Sequence, residues 1–174
     1  MKTIYLAGGC FWGTQKFFDQ FRGVTATQVG YANGPDRQPS YEEVCRSSGH
    51  AETVRVEYDE GIMSLTELLE AYFMVIDPLS VNRQGEDRGI QYRTGIYYTS
   101  PDQLPEIENV YRQQEEKAGA RLAVELAPIA NFFPAEEYHQ KYLDKNPQGY
   151  CHIPRRYFDL ERENADDMIG GGSH

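Results

Sequence analysis

Cysteine is scarce in this chain: Cys10, Cys45 and Cys151 are the only three among 174 residues. An odd number, widely spaced and without a CxxC pair, argues against a disulfide framework or a zinc knuckle. Long apolar runs are missing as well. No stretch approaches the roughly 18 apolar residues that a spanning helix needs, and Met1 to Cys10 carries one basic residue and an apolar stretch too short for a signal peptide. A cytoplasmic protein with no membrane partner is expected, and in that reducing compartment a cysteine takes its meaning from its neighbours. Basic residues are also short. With 17 Lys and Arg against 27 Asp and Glu, the net charge is −10, which argues against nucleic acid as a partner, since phosphate binding rests on Lys and Arg.

What is present points to an ordered globular protein. Hydrophobic residues make up 40 % and aromatics 13 %, too apolar a mixture for a disordered chain. The length suits one domain that buries roughly 70 % of its unfolded surface. Thr3 to Ala7 is β-prone and ends at Gly8-Gly9, after which Thr14, Phe17, Phe18 and Phe21 form a helical stripe. Val24 to Tyr31 reads as a strand, Tyr41 to Val44 as a short helical turn, and Thr53 to Tyr58 as an alternating strand. Ser64-Leu65-Thr66-Glu67 is a capping box that opens a helix ending at Asp77-Pro78. A polar loop over 82–91, a strand near Thr94 to Thr99, a helix opened by Ser100-Pro101 and a strand at Val124 to Ala127 follow, then a short helical pattern over Glu136 to Leu143. The order predicts an α+β fold: a two-layer α/β sandwich with a ferredoxin-like βαββαβ core and a loop-rich C-terminal segment. Residues 1–168 are expected to form one domain, a monomer, with 169–174 as a flexible tail.

Cys10 stands in Gly8-Gly9-Cys10-Phe11-Trp12-Gly13, where a strand turns into a helix. Free N–H groups and the helix dipole there favour a thiolate. Lys16 occupies the place of the Arg in a CxxxxxR phosphatase loop, so a phosphate cradle is not supported. Phe11 and Trp12 would wall a nucleophile with apolar surface suited to a methyl group or thioether. Glu52 shares strand parity with Val54, Val56 and Tyr58 and so points to the apolar face. Burial would raise its pKa and make it a proton donor near pH 7. His50 shares that parity, but a structural hydrogen-bonding role is expected. His50-Ala51-Glu52 matches half of a zinc deaminase signature whose PCxxC half is absent, and His139 as a base for Cys10 has no local spacing in its favour. Cys151 lies in a weakly periodic and therefore mobile stretch, able to condense with a sulfenic acid on Cys10. Cys45, after Val44, is expected to be packed. Position alone leaves the plainer roles open: turn filling for Cys10, core packing for Phe11 and Trp12, a solvent-reaching strand end for Glu52, an unused thiol for Cys151.

Gly9-Cys10-Phe11-Trp12-Gly13 resembles the active-site motif of the A-type peptide methionine sulfoxide reductases. Gly30-Tyr31-Ala32, Tyr41-Glu42-Glu43-Val44-Cys45, Gly49-His50-Ala51-Glu52, the run from Arg83 through Asp87 to Arg93, and Asn146-Pro147-Gln148-Gly149-Tyr150-Cys151 are similar to that family's motifs, in order. The resemblance implies that Cys10 attacks the sulfoxide sulfur while Phe11 and Trp12 hold the methyl group. It further implies that Glu52, Tyr41 and Tyr92 hydrogen-bond the sulfoxide oxygen and that Asp87 organises the site. The implied substrate is methionine S-sulfoxide, free or in proteins, and the implied function is repair after oxidative damage. No bound cofactor is implied: a Cys10 sulfenic acid would be resolved by Cys151, and thioredoxin would reduce the disulfide as external reductant. Ile76 and Glu86 depart from a frequent His and Asn, and no cysteine follows Cys151, so that disulfide would meet thioredoxin directly. The competing class is a non-enzymatic thiol redox sensor or methionine-binding module.

Overall fold

Strand alternation sorts the central residues onto two faces. In the computed structural model, which describes residues 1–160, the strands are β1 (Lys2–Gly8), β2 (Val24–Ala32), β3 (Ala51–Tyr58), β4 (Arg83–Gln84), β5 (Asp87–Arg88), β6 (Thr94–Tyr98), β7 (Glu125–Pro128) and β8 (Phe132–Pro134). The helices are α1 (Phe11–Asp19), α2 (Tyr41–Cys45), α3 (Leu65–Met74), α4 (Leu104–Ala118) and α5 (Tyr142–Lys145). Ile4, Leu6, Val54 and Val56 are fully buried with Phe17 and Phe18 of α1 and Leu68, Leu69 and Tyr72 of α3 in the main core. The opposite face carries a smaller cluster of Ala7, Ala32, Ala51 and Tyr97. Each large side chain so buried stabilises by roughly 1.5–3 kcal/mol, which is why the expected helical stripes and strand parity settle where they do.

Six strands form one mixed sheet in the order β7-β6-β1-β3-β2-β8, antiparallel except for the parallel β6–β7 pair. The fold is therefore mixed α/β. The expected domain end at 168 and tail 169–174 lie outside the described residues.

Local chemistry explains the helix starts. Ser64 accepts from the Glu67 N–H at 3.1 Å while the Glu67 carboxylate accepts from the Ser64 N–H at 3.0 Å, the capping box anticipated for α3. Ser40 and Glu43 do the same for α2. The Ser100-Pro101 start opens a 3₁₀ turn, Pro101–Gln103, before α4 begins at Leu104. Other elements differ from the sequence reading. The polar loop contains the β4–β5 hairpin, which turns at Gly85 with φ of +60°. The helical pattern near Glu136 splits into a 3₁₀ turn, Glu137–His139, and α5, because Lys141 between them is left-handed at φ of +56°. β8 is a three-residue edge strand ending in Pro134, too short for periodicity to mark.

The topology gathers one end of the sheet. Leu6 pairs with Val54, Gly8 with Thr94, and Tyr31 with Glu52, so the end of β1, the starts of β3 and β6 and the end of β2 meet where α1 begins.

Candidate active site

Cys10 is the N-cap residue of α1, buried at 7 % exposure, and its side chain makes no capping hydrogen bond. The expected thiolate is not what its surroundings favour. Burial pushes the thiol well above its ordinary pKa and the nearby Glu52 adds to this, against a smaller lowering by the Trp12 backbone N–H; Asp87 and Cys151 raise it further. Desolvation and two carboxyls outweigh the helix start, so the resting group is the protonated thiol.

Glu52 behaves as its strand parity predicts. At 1 % exposure it faces inward, and burial, reinforced by Asp87 and opposed by the Phe11 N–H, pushes its pKa up to about 8. One oxygen accepts from the Phe11 N–H at 3.2 Å. The other is buried and has no hydrogen-bond partner among the described residues. At pH 7 this is mainly a neutral acid with an uncommitted oxygen beside the thiol.

Tyr41 and Tyr92 complete the polar side. Burial, then the charge of Glu52, raises both phenols, so both remain hydrogen-bond donors throughout the neutral range. Asp87 is raised by burial, against the proximity of Tyr150 and His152. Its second oxygen is likewise buried without a partner among the described residues.

The aromatic side is built by residues that the sequence reading undervalued. Phe11 is buried against Tyr31 and His139. Half-buried Trp12 stacks on Tyr142, with centroids 3.8 Å apart, and donates from Nε1 to His139 Nδ1 at 2.9 Å. His139, considered above as a base for Cys10, thus orients the indole instead. Glu136 accepts from the Tyr31 hydroxyl at 2.7 Å and the Tyr41 N–H at 3.0 Å, tying α2 to the site. Only the helical period around 136–143 hinted at this segment, and it carried no sign of these long-range partners.

His50 has the structural role expected. Its ring nitrogens meet the Ser48 hydroxyl and the Pro35 carbonyl, both at 2.8 Å. Cys45 corrects an expectation: it is exposed, because Val44 takes the core position of α2. Cys151 was expected in a mobile stretch, yet it is half-buried against the first turn of α1. A Cβ on Gly13 would come within 2.7 Å of the Cys151 sulfur, so glycine there makes the sulfur's seat. Cys10, Phe11, Trp12, Tyr41, Glu52, Asp87, Tyr92 and Cys151 thus form one constellation.

A family model described as peptide methionine sulfoxide reductase matches residues 2–167. The chain belongs to the peptide methionine sulfoxide reductase family. The peptide methionine sulfoxide reductase MsrA of Lachnoclostridium phytofermentans is 54 % identical over 159 residues, covering 91 % of this chain and 96 % of that protein. The crystal structure of Mxr1 from Saccharomyces cerevisiae in reduced form superposes with a TM-score of 0.83 at 39 % identity, over 88 % of this chain and 91 % of that one. Mxr1 in complex with Trx2 matches with a TM-score of 0.58 at 27 % identity, over 81 % and 84 % of the two chains. Reduction of methionine sulfoxide is the activity of this family, and a thiol beside a neutral acid and an aromatic wall is suited to it.

Proposed function

We propose that the chain reduces the S epimer of methionine sulfoxide, free or within proteins, with Cys10 as nucleophile and Glu52 as general acid. The observation that carries this reading is the buried Glu52, a neutral acid at pH 7 with one oxygen held by the Phe11 N–H and the other free beside Cys10. Phe11 and Trp12 receive the methyl group. Tyr41 and Tyr92 donate to the sulfoxide oxygen, and Asp87 orders the site. Glu52 passes its proton to that oxygen, and its carboxylate takes the Cys10 proton as the Cys10 sulfur attacks the substrate sulfur. The oxygen ends on Cys10 as a sulfenic acid and methionine leaves, so Cys10 is oxidised by two electrons and the substrate reduced by two. Cys151 then displaces hydroxide to form a disulfide, its thiol proton balancing the water released. The Mxr1–Trx2 complex supports thioredoxin as the external reductant of that disulfide.

The strand order β6-β1-β3-β2, antiparallel throughout and crossed over by α1 and α3, supports a ferredoxin-like core. Among the described residues no helix is long and apolar enough to cross a membrane; a cytoplasmic monomer of one domain is part of this proposal. The test is the pH dependence of methionine release in a single turnover. Wild type should be constant between pH 6 and 7 and fall above about pH 8, where Glu52 loses its proton. Glu52→Gln should be about 10²–10³-fold slower and lack that limb. Release by Glu52→Gln at the wild-type rate would remove Glu52 from the chemistry.

A further inference from the structure

His152 follows the resolving cysteine and has no role in the reductase step described above. Its Nε2 lies 3.0 Å from the Gly8 carbonyl oxygen, in the turn that leads to Cys10. A carbonyl only accepts, so Nε2 carries the proton and donates. The imidazole enters a cradle of glycines. A Cβ on Gly9 would stand 3.2 Å from Nε2, one on Gly13 3.7 Å from Cε1, and one on Gly85 3.5 Å from the histidine's own Cβ. Those three glycines come from the Cys10 turn, from the first turn of α1 and from the β4–β5 hairpin. On the other side of Cys151, Tyr150 lies beside Asp87, close enough for each to bear on the other's titration. The Cys151 sulfur is thus flanked by two contacts, with its own seat over Gly13.

We infer that His152 is a positioning residue for the second chemical step: seated among the glycines and bonded to Gly8, it holds Cys151 against α1 so that its sulfur meets the Cys10 sulfenic acid. The inference rests on the assignment of Cys151 as resolving thiol. In that step the Cys151 sulfur forms the S–S bond, the Cys10 S–O bond breaks, and the hydroxide leaves as water with the proton Cys151 gives up. Holding the two sulfurs together replaces a search by a long loop with a near-contact encounter. Loss of the latch lowers the rate of that step and leaves the methyl pocket and Glu52 untouched.

The experiment is a single turnover without reductant on the full chain, following methionine release, free thiols, disulfide mass and sulfenic acid trapped by a dimedone-type probe. His152→Ala should release about one methionine per enzyme while disulfide formation slows at least tenfold and trapped sulfenic acid accumulates. His152→Gln, whose amide can still donate to the Gly8 carbonyl, should recover to within about threefold of wild type. A merely structural role would move release and disulfide formation together. Disulfide formation at the wild-type rate in His152→Ala, or a parallel fall in methionine release, overturns the latch. Wild type that releases methionine yet retains its Cys151 thiol overturns the resolving assignment and the latch with it.

Discussion

The two cysteine-bearing segments are held in opposite ways. Cys10 stands between a strand paired on both sides and the first turn of α1, so the backbone ladder itself fixes it. Cys151 lies in a stretch without a strand or α-helix, held by single contacts: its neighbour His152 on Gly8, Tyr150 on Asp87, and a sulfur fitted over Gly13. The first arrangement is rigid by construction and suits a nucleophile aimed at one atom. The second is released by breaking a few contacts, which suits the resolving role proposed for Cys151. The difference predicts that damage to the first segment removes the reaction, whereas damage to the second divides it into a surviving and a failing step.

The largest effect tests the first half. Cys10→Ser should abolish methionine formation within detection, with Cys151 and Cys45 intact, as measured by product chromatography. Gly13→Ala sharpens the contrast, because its new methyl would stand within 2.7 Å of the Cys151 sulfur. Disulfide formation should fall about tenfold, and more than methionine release does, in a quenched time course.

Glu52 tests the stability cost of the rigid segment. Its pKa in the folded protein, about 8, lies above the ordinary 4.5, so the folded state binds this proton more tightly than the unfolded one. The stabilisation is full below pH 4.5 and is lost as pH rises to 8. The loss is on the order of 5 kcal/mol at most. Glu52→Gln should therefore gain stability over wild type, more at pH 8 than at pH 5, by denaturant melts at the two pH values. The smallest effect is a control remote from both segments: Ser64→Ala removes the cap of α3 and should cost about 1 kcal/mol without dividing the two chemical steps.

The same contrast governs what could be read from sequence. Cys10 at a strand-to-helix turn and Glu52 on the buried parity of β3 were legible because both follow from local periodicity. So were the α3 capping box and the helical stripe of α1. The protonation of Cys10 was not, because it is set first by burial in the folded core and then by Glu52 and Asp87, carboxyls distant in sequence. His139 under Trp12, Glu136 on Tyr41 and His152 on Gly8 each span about 95 to 144 residues, and no local pattern encodes such contacts. Cys45 misled for a simpler reason: in a helix as short as α2 one buried position, Val44, suffices to anchor it.

The most direct test of the whole account is one turnover of the wild-type enzyme with excess methionine S-sulfoxide and no reductant, followed by a count of methionine, a thiol titration and disulfide mapping by mass. About one methionine per enzyme should form, with loss of the Cys10 and Cys151 thiols and a single Cys10–Cys151 disulfide, Cys45 still free. Methionine formed while the Cys10 thiol remains reduced and unlinked, or no methionine at all, would contradict it.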